Sequence, residues 1–98
     1  MSPSEKKHAR AEVSIYGRVQ LVMFRDFATR KARALGLSGF VVNRADGSVF
    51  SVAEGPREEL DAWVARLHQG PLLAKVERCE TRFMETSGEF LGFHIHYG

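Results

Sequence analysis

The dipeptide Asp46-Gly47 stands between two apolar runs in LSGFVVNRADGSVFSVAEG, and no other pair of residues constrains this chain as much. Both residue types tolerate positive φ, so the pair suits a two-residue hairpin turn joining strands over 38 to 44 and 48 to 54. What flanks this hairpin decides the fold. On its N-terminal side, EVSIYGRV at 12 to 19 alternates, with Val13, Ile15 and Val19 on one face and Ser14 on the other, which is strand periodicity. Phe24, Phe27, Ala28, Ala32 and Leu35 then recur at helical spacing, Arg30 and Arg33 fall among exposed positions, and Gly36 supplies a stop, so a helix is expected over about 24 to 35.

On the C-terminal side, Gly55-Pro56 opens a second helix. Proline suits the first helical position, Glu58 and Glu59 favour the positive end of the dipole, and Leu60, Trp63, Val64 and Leu67 form a buried stripe ending near Gln69-Gly70-Pro71. A fourth strand is expected around 75 to 83, where Val76 is out of phase with Cys79, Thr81 and Phe83 and predicts a bulge or a late start. In GFHIHYG, Phe93, Ile95 and Tyr97 should point inward and His94 and His96 outward. The order is βαββαβ plus a short closing strand: an α+β, ferredoxin-like α/β sandwich, with an antiparallel sheet, two helices on one face and the other face open. Residues 1 to 11 read as a flexible polar arm and 12 to 98 as the single domain that 98 residues allow.

Composition narrows the function classes. Hydrophobic residues at 44% and charged ones at 27% are too apolar a mixture for disorder. No stretch approaches the ~20 apolar residues of a membrane span, and MSPSEKKHARA lacks the hydrophobic segment of a secretory signal. A cytoplasmic protein with no membrane partner is expected. The lone Cys79 forms neither an intrachain disulfide nor a metal pair and reads as a strand residue. A net charge of +2 leans towards anionic ligands but is too small to argue for nucleic acid.

The segment GRVQLVMFR, 17 to 25, joins the first strand to the first helix. A chain that turns from strand to helix within a few residues aims backbone N–H groups outward beside the helix's positive end, which attracts an anion. Arg25, in the first helical turn, opposes the dipole, and its planar guanidinium matches two phosphate oxygens. The bland alternative is a solvated arginine, paired with Asp26 or another carboxylate. Asn43, near the end of the second strand, is either a turn-flanking residue or an amide able to hold a water without titrating. Phosphoryl transfer asks the protein chiefly to fix an anion, neutralise charge and align a nucleophile.

At these two segments the chain resembles the acylphosphatases. GRVQLVMFRDF is similar to the family's G-x-V-Q-G-V-x-F-R motif and GFVVNRADGSV to its G-W-V-x-N-x-x-D-G-x-V motif, and EGPREEL and GFHIHY extend the resemblance over about 12 to 98. It implies hydrolysis of a carboxyl-phosphate bond, with Arg25 binding the phosphate and Asn43 orienting the attacking water. The phosphate-binding loop would comprise Gly17, Arg18, Val19, Gln20, Leu21 and Val22. No cofactor and no metal are implied, and the partners are a small acyl phosphate or inorganic phosphate; apart from the resemblance, a monomer is expected. Phe40 replaces the motif's tryptophan, and Leu21 stands where the motif has its second glycine. If the loop needs positive φ there, leucine costs ~1–2 kcal/mol and its side chain crowds the cradle. The alternative to an active enzyme is therefore an anion-binding module impaired by Leu21.

Other candidates carry less. His94 and His96 share a face at i, i+2 spacing but have no third ligand, so they read as exposed strand residues. Ser48 and Ser51 lack a serine-hydrolase context. Asp26 reads as a first-turn dipole partner and Asp46 as a turn residue. RNA-recognition motifs share the element order, but here only Tyr16 and Phe50 stand in for their base-stacking aromatics.

Overall fold

The computed structural model describes residues 7–97. Strand β1 (His8–Arg18), helix α1 (Phe24–Ala34), strands β2 (Ser38–Asn43) and β3 (Val49–Pro56), helix α2 (Arg57–Gln69), and strands β4 (Lys75–Met84) and β5 (Phe93–His96) follow in order. One five-stranded sheet has the order β4-β1-β3-β2-β5. The first four strands pair antiparallel, whereas β5 lies parallel to β2. That parallel edge modifies the all-antiparallel sheet expected. It arises because the chain leaves β4 at one edge and runs through residues 85–92 to the opposite edge before β5 begins.

Alternation places Ala11, Val13 and Ile15 of β1, Val41 of β2 and Val49 and Ala53 of β3 in one core with both helices. The α1 stripe Phe24, Phe27, Ala28 and Ala32 is buried, as are Leu60, Trp63 and Leu67 of α2, while Val64 packs at the margin. Trp63 Nε1 donates to the Ala28 carbonyl at 3.2 Å, giving the buried indole N–H a partner and tying the helices together. Pro56 is the last residue of β3, at ψ 140, so α2 begins one residue after the position expected for it.

Two local expectations are refined. Strand β1 starts at His8 and pairs with β3 from His8↔Pro56 onward, so residues 8 to 11, expected in the arm, belong to the sheet. Ala11 has no exposed surface, which explains why the short alternation ahead of Glu12 forms strand. The rest of that arm, residues 1 to 6, lies outside the described residues. The hairpin turn spans three residues, not two: Arg44 N–H donates to the Ser48 carbonyl at 2.9 Å and Gly47 N–H to the Arg44 carbonyl at 3.2 Å. Gly47 alone in the turn has positive φ, at 92°, a pattern that fits a type I turn followed by a glycine bulge. Asp46 serves the turn differently, its Oδ1 accepting from Ser48 Oγ at 2.6 Å and Ser48 N–H at 2.9 Å. The Ser48 hydroxyl and amide hold that carboxyl below the usual range.

The bulge expected in β4 is present. The register passes from Tyr16↔Arg78 to Gly17↔Val76, leaving Glu77 unopposed. Gly17, at φ 128, lies so close to β4 that a Cβ would come 2.2 Å from the Lys75 carbonyl oxygen. Only glycine fits this approach, and it marks where β1 turns toward α1.

Candidate active site

The path from β1 to α1 contains two left-handed residues, Leu21 at φ 62 and Met23 at φ 65, the only non-glycine examples among the described residues. Met23 occupies the N-cap of α1 and supplies no side-chain cap. Its carbonyl accepts from Phe27 N–H at 3.0 Å. The first-turn amides of α1 thus face the turn without a side-chain acceptor at the cap, and a backbone with left-handed residues in such a turn forms a concave set of N–H donors suited to an anion.

Beside this turn opens a pocket of about 450 Å³ whose wall includes Arg25 and Asn43. Residues 18 positions apart meet because β2 runs back beside α1 and ends at Asn43. The Arg25 guanidinium carbon lies 4.9 Å from the centroid of the Tyr97 ring, a cation–π contact that gives the side chain a fixed support. Asp26 is engaged elsewhere, with Arg30 Nε at 2.9 Å one helical turn on. The ion pair offered as the bland explanation of Arg25 is therefore not made with Asp26. Asn43 Oδ1 is buried with no hydrogen-bond partner in the protein. Such an atom is costly unless a ligand or water serves it.

Of the residues expected in the loop, Val19 and Leu21 reach the pocket wall, while Gly17, Arg18, Gln20 and Val22 do not line it. Gly17 sets the bulge, Arg18 is exposed and paired with Lys75 in the β1–β4 register, and Val22 packs against the core. Gln20 acts at a distance from the pocket. Its Nε2 donates to the carbonyls of Arg44 at 2.7 Å and Ser48 at 2.8 Å, pinning the loop to the β2–β3 turn that follows Asn43. The Leu21 side chain is 99% exposed, so it stands at the rim and does not crowd the cradle, contrary to expectation. Left-handed backbone at 21 turns the side chain outward.

Met23, Phe24, Asp26, Ile95 and Tyr97 also line the pocket and were not singled out for it. Tyr97 was expected to point into the core after Phe93 and Ile95. It lies one residue beyond the end of β5, and its ring, 78% exposed, supports Arg25 instead. Strand alternation gave its side of the sheet, but the fading of the core at the strand end was not visible in the pattern. Cys79 lies half-buried in β4, and burial pushes its thiol up to about 11, which suppresses the reactive thiolate. Among the described residues no cluster of three or more His, Cys, Asp or Glu side chains could hold a metal ion, and no helix is long and apolar enough to cross a membrane.

Comparison with known proteins is consistent along the chain. The acylphosphatase family model matches residues 11–95. An acylphosphatase of Thermus thermophilus is 49% identical over 82 residues, covering 84% of this chain and 92% of that protein. An acylphosphatase of Thermococcus kodakarensis is 48% identical over 82 residues, with 84% and 90% covered. The crystal structure of acylphosphatase from Bacillus subtilis superposes with a TM-score of 0.88 at 32% identity, covering 91% of this chain and 99% of that one.

Proposed function

Because the chain belongs to the acylphosphatase family, a family of hydrolases, we propose that it cleaves the carboxyl-phosphate bond of small acyl phosphates by in-line attack of water at the pocket of Arg25 and Asn43. The observation that carries the mechanism is that Arg25 and Asn43 line one pocket beside the β1–α1 turn. The terminal phosphate sits against the N–H groups of the β1–α1 turn, and the guanidinium neutralises its charge. A water held by the Asn43 side-chain amide keeps an oxygen lone pair for phosphorus. As the new P–O bond forms, the bond from phosphorus to the carboxyl oxygen breaks and the carboxylate departs. Carboxylate is a stable anion and needs no proton to leave, so no general acid is required. The proton of the water passes to a phosphate oxygen, giving carboxylate and inorganic phosphate. This reading requires neither a metal nor an organic cofactor, draws every side chain from one copy of the chain and suits a cytoplasmic monomer.

The impaired-module alternative rests on Leu21. An outward, exposed Leu21 leaves the cradle clear, which supports turnover.

Steady-state hydrolysis of an acyl phosphate, with a chelator present, tests the reading. Arg25→Ala removes a charged phosphate ligand, a loss worth ~10³ to 10⁵ in rate in comparable sites. Asn43→Ala removes one positioning group and should cost ~10² to 10³ in kcat. Both variants should keep the parental circular dichroism spectrum. Near-parental rates in both would move the site elsewhere.

A further inference from the structure

Three large apolar or aromatic side chains stand exposed around this one pocket. Leu21 is 99%, Met23 68% and Tyr97 78% exposed, and all three line the pocket that Arg25 and Asn43 share. Two of them, Leu21 and Met23, are carried on left-handed backbone, at φ 62 and φ 65. Left-handed backbone is unfavourable for leucine and methionine, and neither side chain is buried in exchange. Strained, solvent-facing apolar residues at one mouth call for something apolar that arrives there.

The pocket itself indicates what that is. Of the charged and polar groups in the lining, Asp26 is paired with Arg30, and Arg25 and Asn43 are committed to the phosphate and the water. A phosphate held between them leaves the acyl end of the molecule at the open mouth, where the exposed large apolar or aromatic side chains of the lining are Leu21, Met23 and Tyr97. From this we infer that these three residues form an acyl-recognition rim, and that the substrate class is acyl phosphates bearing a branched or aromatic acyl group, in preference to acetyl phosphate. The inference rests on the acylphosphatase reading and deepens it. Leu21 is central, because glycine in its place would offer the acyl group no surface. Tyr97 serves both ends of the substrate, supporting Arg25 with its ring and standing exposed in the lining beside the acyl group.

The test compares kcat/KM for benzoyl phosphate and acetyl phosphate in the parent, Leu21→Asn and Met23→Gln. Asparagine tolerates the left-handed conformation while removing the apolar surface, so the loop keeps its shape. The inhibition constant of inorganic phosphate, which has no acyl group, reports the loop separately. Changes of a methylene or so in apolar pockets are worth roughly 10- to 200-fold, and a rim contact belongs at the lower end. The benzoyl-to-acetyl ratio should fall about 10-fold in Leu21→Asn and several-fold in Met23→Gln, chiefly through KM for benzoyl phosphate. The phosphate inhibition constant should move far less than that ratio. An unchanged ratio in both variants, with hydrolysis intact, overturns the rim. A ratio that changes only in step with phosphate inhibition also overturns it, because the loop and not the acyl contact would then be affected. Failure of the parent to hydrolyse either compound overturns the acylphosphatase reading itself, and the rim falls with it.

Discussion

Leu21 holds φ 62 with its side chain in solvent, so no packing offsets its backbone strain. A leucine in left-handed conformation costs ~1–2 kcal/mol relative to a residue without Cβ. Glycine gives back part of that difference through the entropy of the unfolded chain, ~0.5–1 kcal/mol. Leu21→Gly should therefore stabilise the protein by up to about 1 kcal/mol, which in a domain of this size raises Tm by roughly 4–8 °C. Thermal unfolding followed by circular dichroism measures this directly. A fall in Tm would mean that Leu21 makes a stabilising contact that outweighs the strain. Substitution elsewhere on the rim should behave differently: Met23 has the same handedness, but it also begins α1, where its carbonyl accepts from Phe27 N–H.

At the scale of elements, the proposed site depends on two segments that the sequence separates and Gln20 joins. Its side-chain amide donates to two carbonyls of the β2–β3 turn, at 2.7 and 2.8 Å. Gln20→Leu keeps the volume and removes both donors. The expected loss is ~1–3 kcal/mol, two hydrogen bonds at ~0.5–1.5 kcal/mol each, while each carbonyl keeps its backbone donor. Since Arg25 and Asn43 then lose their mutual registration, kcat should fall by up to ~10²-fold, as small misplacements do. Urea unfolding and steady-state kinetics check the pair of effects, and a variant parental in both would show that the loop is held by backbone alone. In the sequence, this glutamine was visible only as a loop residue, because a side chain bonding to a distant backbone leaves no periodic trace. The elements themselves were legible: two helical stripes, a central hairpin, and even the β4 bulge from the phase of Val76. Turn length was not, since Asp46-Gly47 permits both a two-residue turn and the three-residue form, and the Ser48 contacts to Asp46 accompany the longer one. Arg25 and Asn43 stood out because each residue type is unusual for its place, an arginine in a first helical turn and an amide at a strand end. Tyr97 hid within an alternation that predicts side but not depth.

For the whole molecule, the face of the sheet away from the helices was expected to be open, and it is partly roofed by the connection from β4 to β5. Phe90 in that connection packs on Phe40 at 5.8 Å between ring centroids and lies under the Arg10 guanidinium at 5.3 Å. The anchor is Glu54 of β3, only 5% exposed. Its carboxylate accepts from Ser87 N–H at 2.9 Å, Gly88 N–H at 3.0 Å, Ser87 Oγ at 2.8 Å and Arg10 Nη1 at 3.0 Å. Burial alone would raise the carboxyl's pKa, but the Ser87 and Gly88 amides, the Ser87 hydroxyl and Arg10 together outweigh it and hold the carboxyl below its ordinary value. A depressed folded pKa means that the unfolded chain takes up the proton first. The contribution of Glu54 to stability is thus complete above the unfolded value, ~4.3, and is lost as pH falls through the lower folded value. Glu54→Gln removes the charge while preserving the shape, so the variant should be less stable at neutral pH by ~1–3 kcal/mol, the cost of losing charge-assisted bonds in a buried place. The deficit relative to the parent should shrink as pH drops from the unfolded value, ~4.3, through the lower folded value, where the parental carboxylate is itself neutralised. Urea midpoints of the two proteins between about pH 7 and pH 2.5, a span that brackets the carboxyl's titration, measure this, with hydrogen exchange at the Ser87 and Gly88 amides reporting release of the connection. A deficit that stays constant over that range would show that Glu54 holds the connection by shape and not by charge.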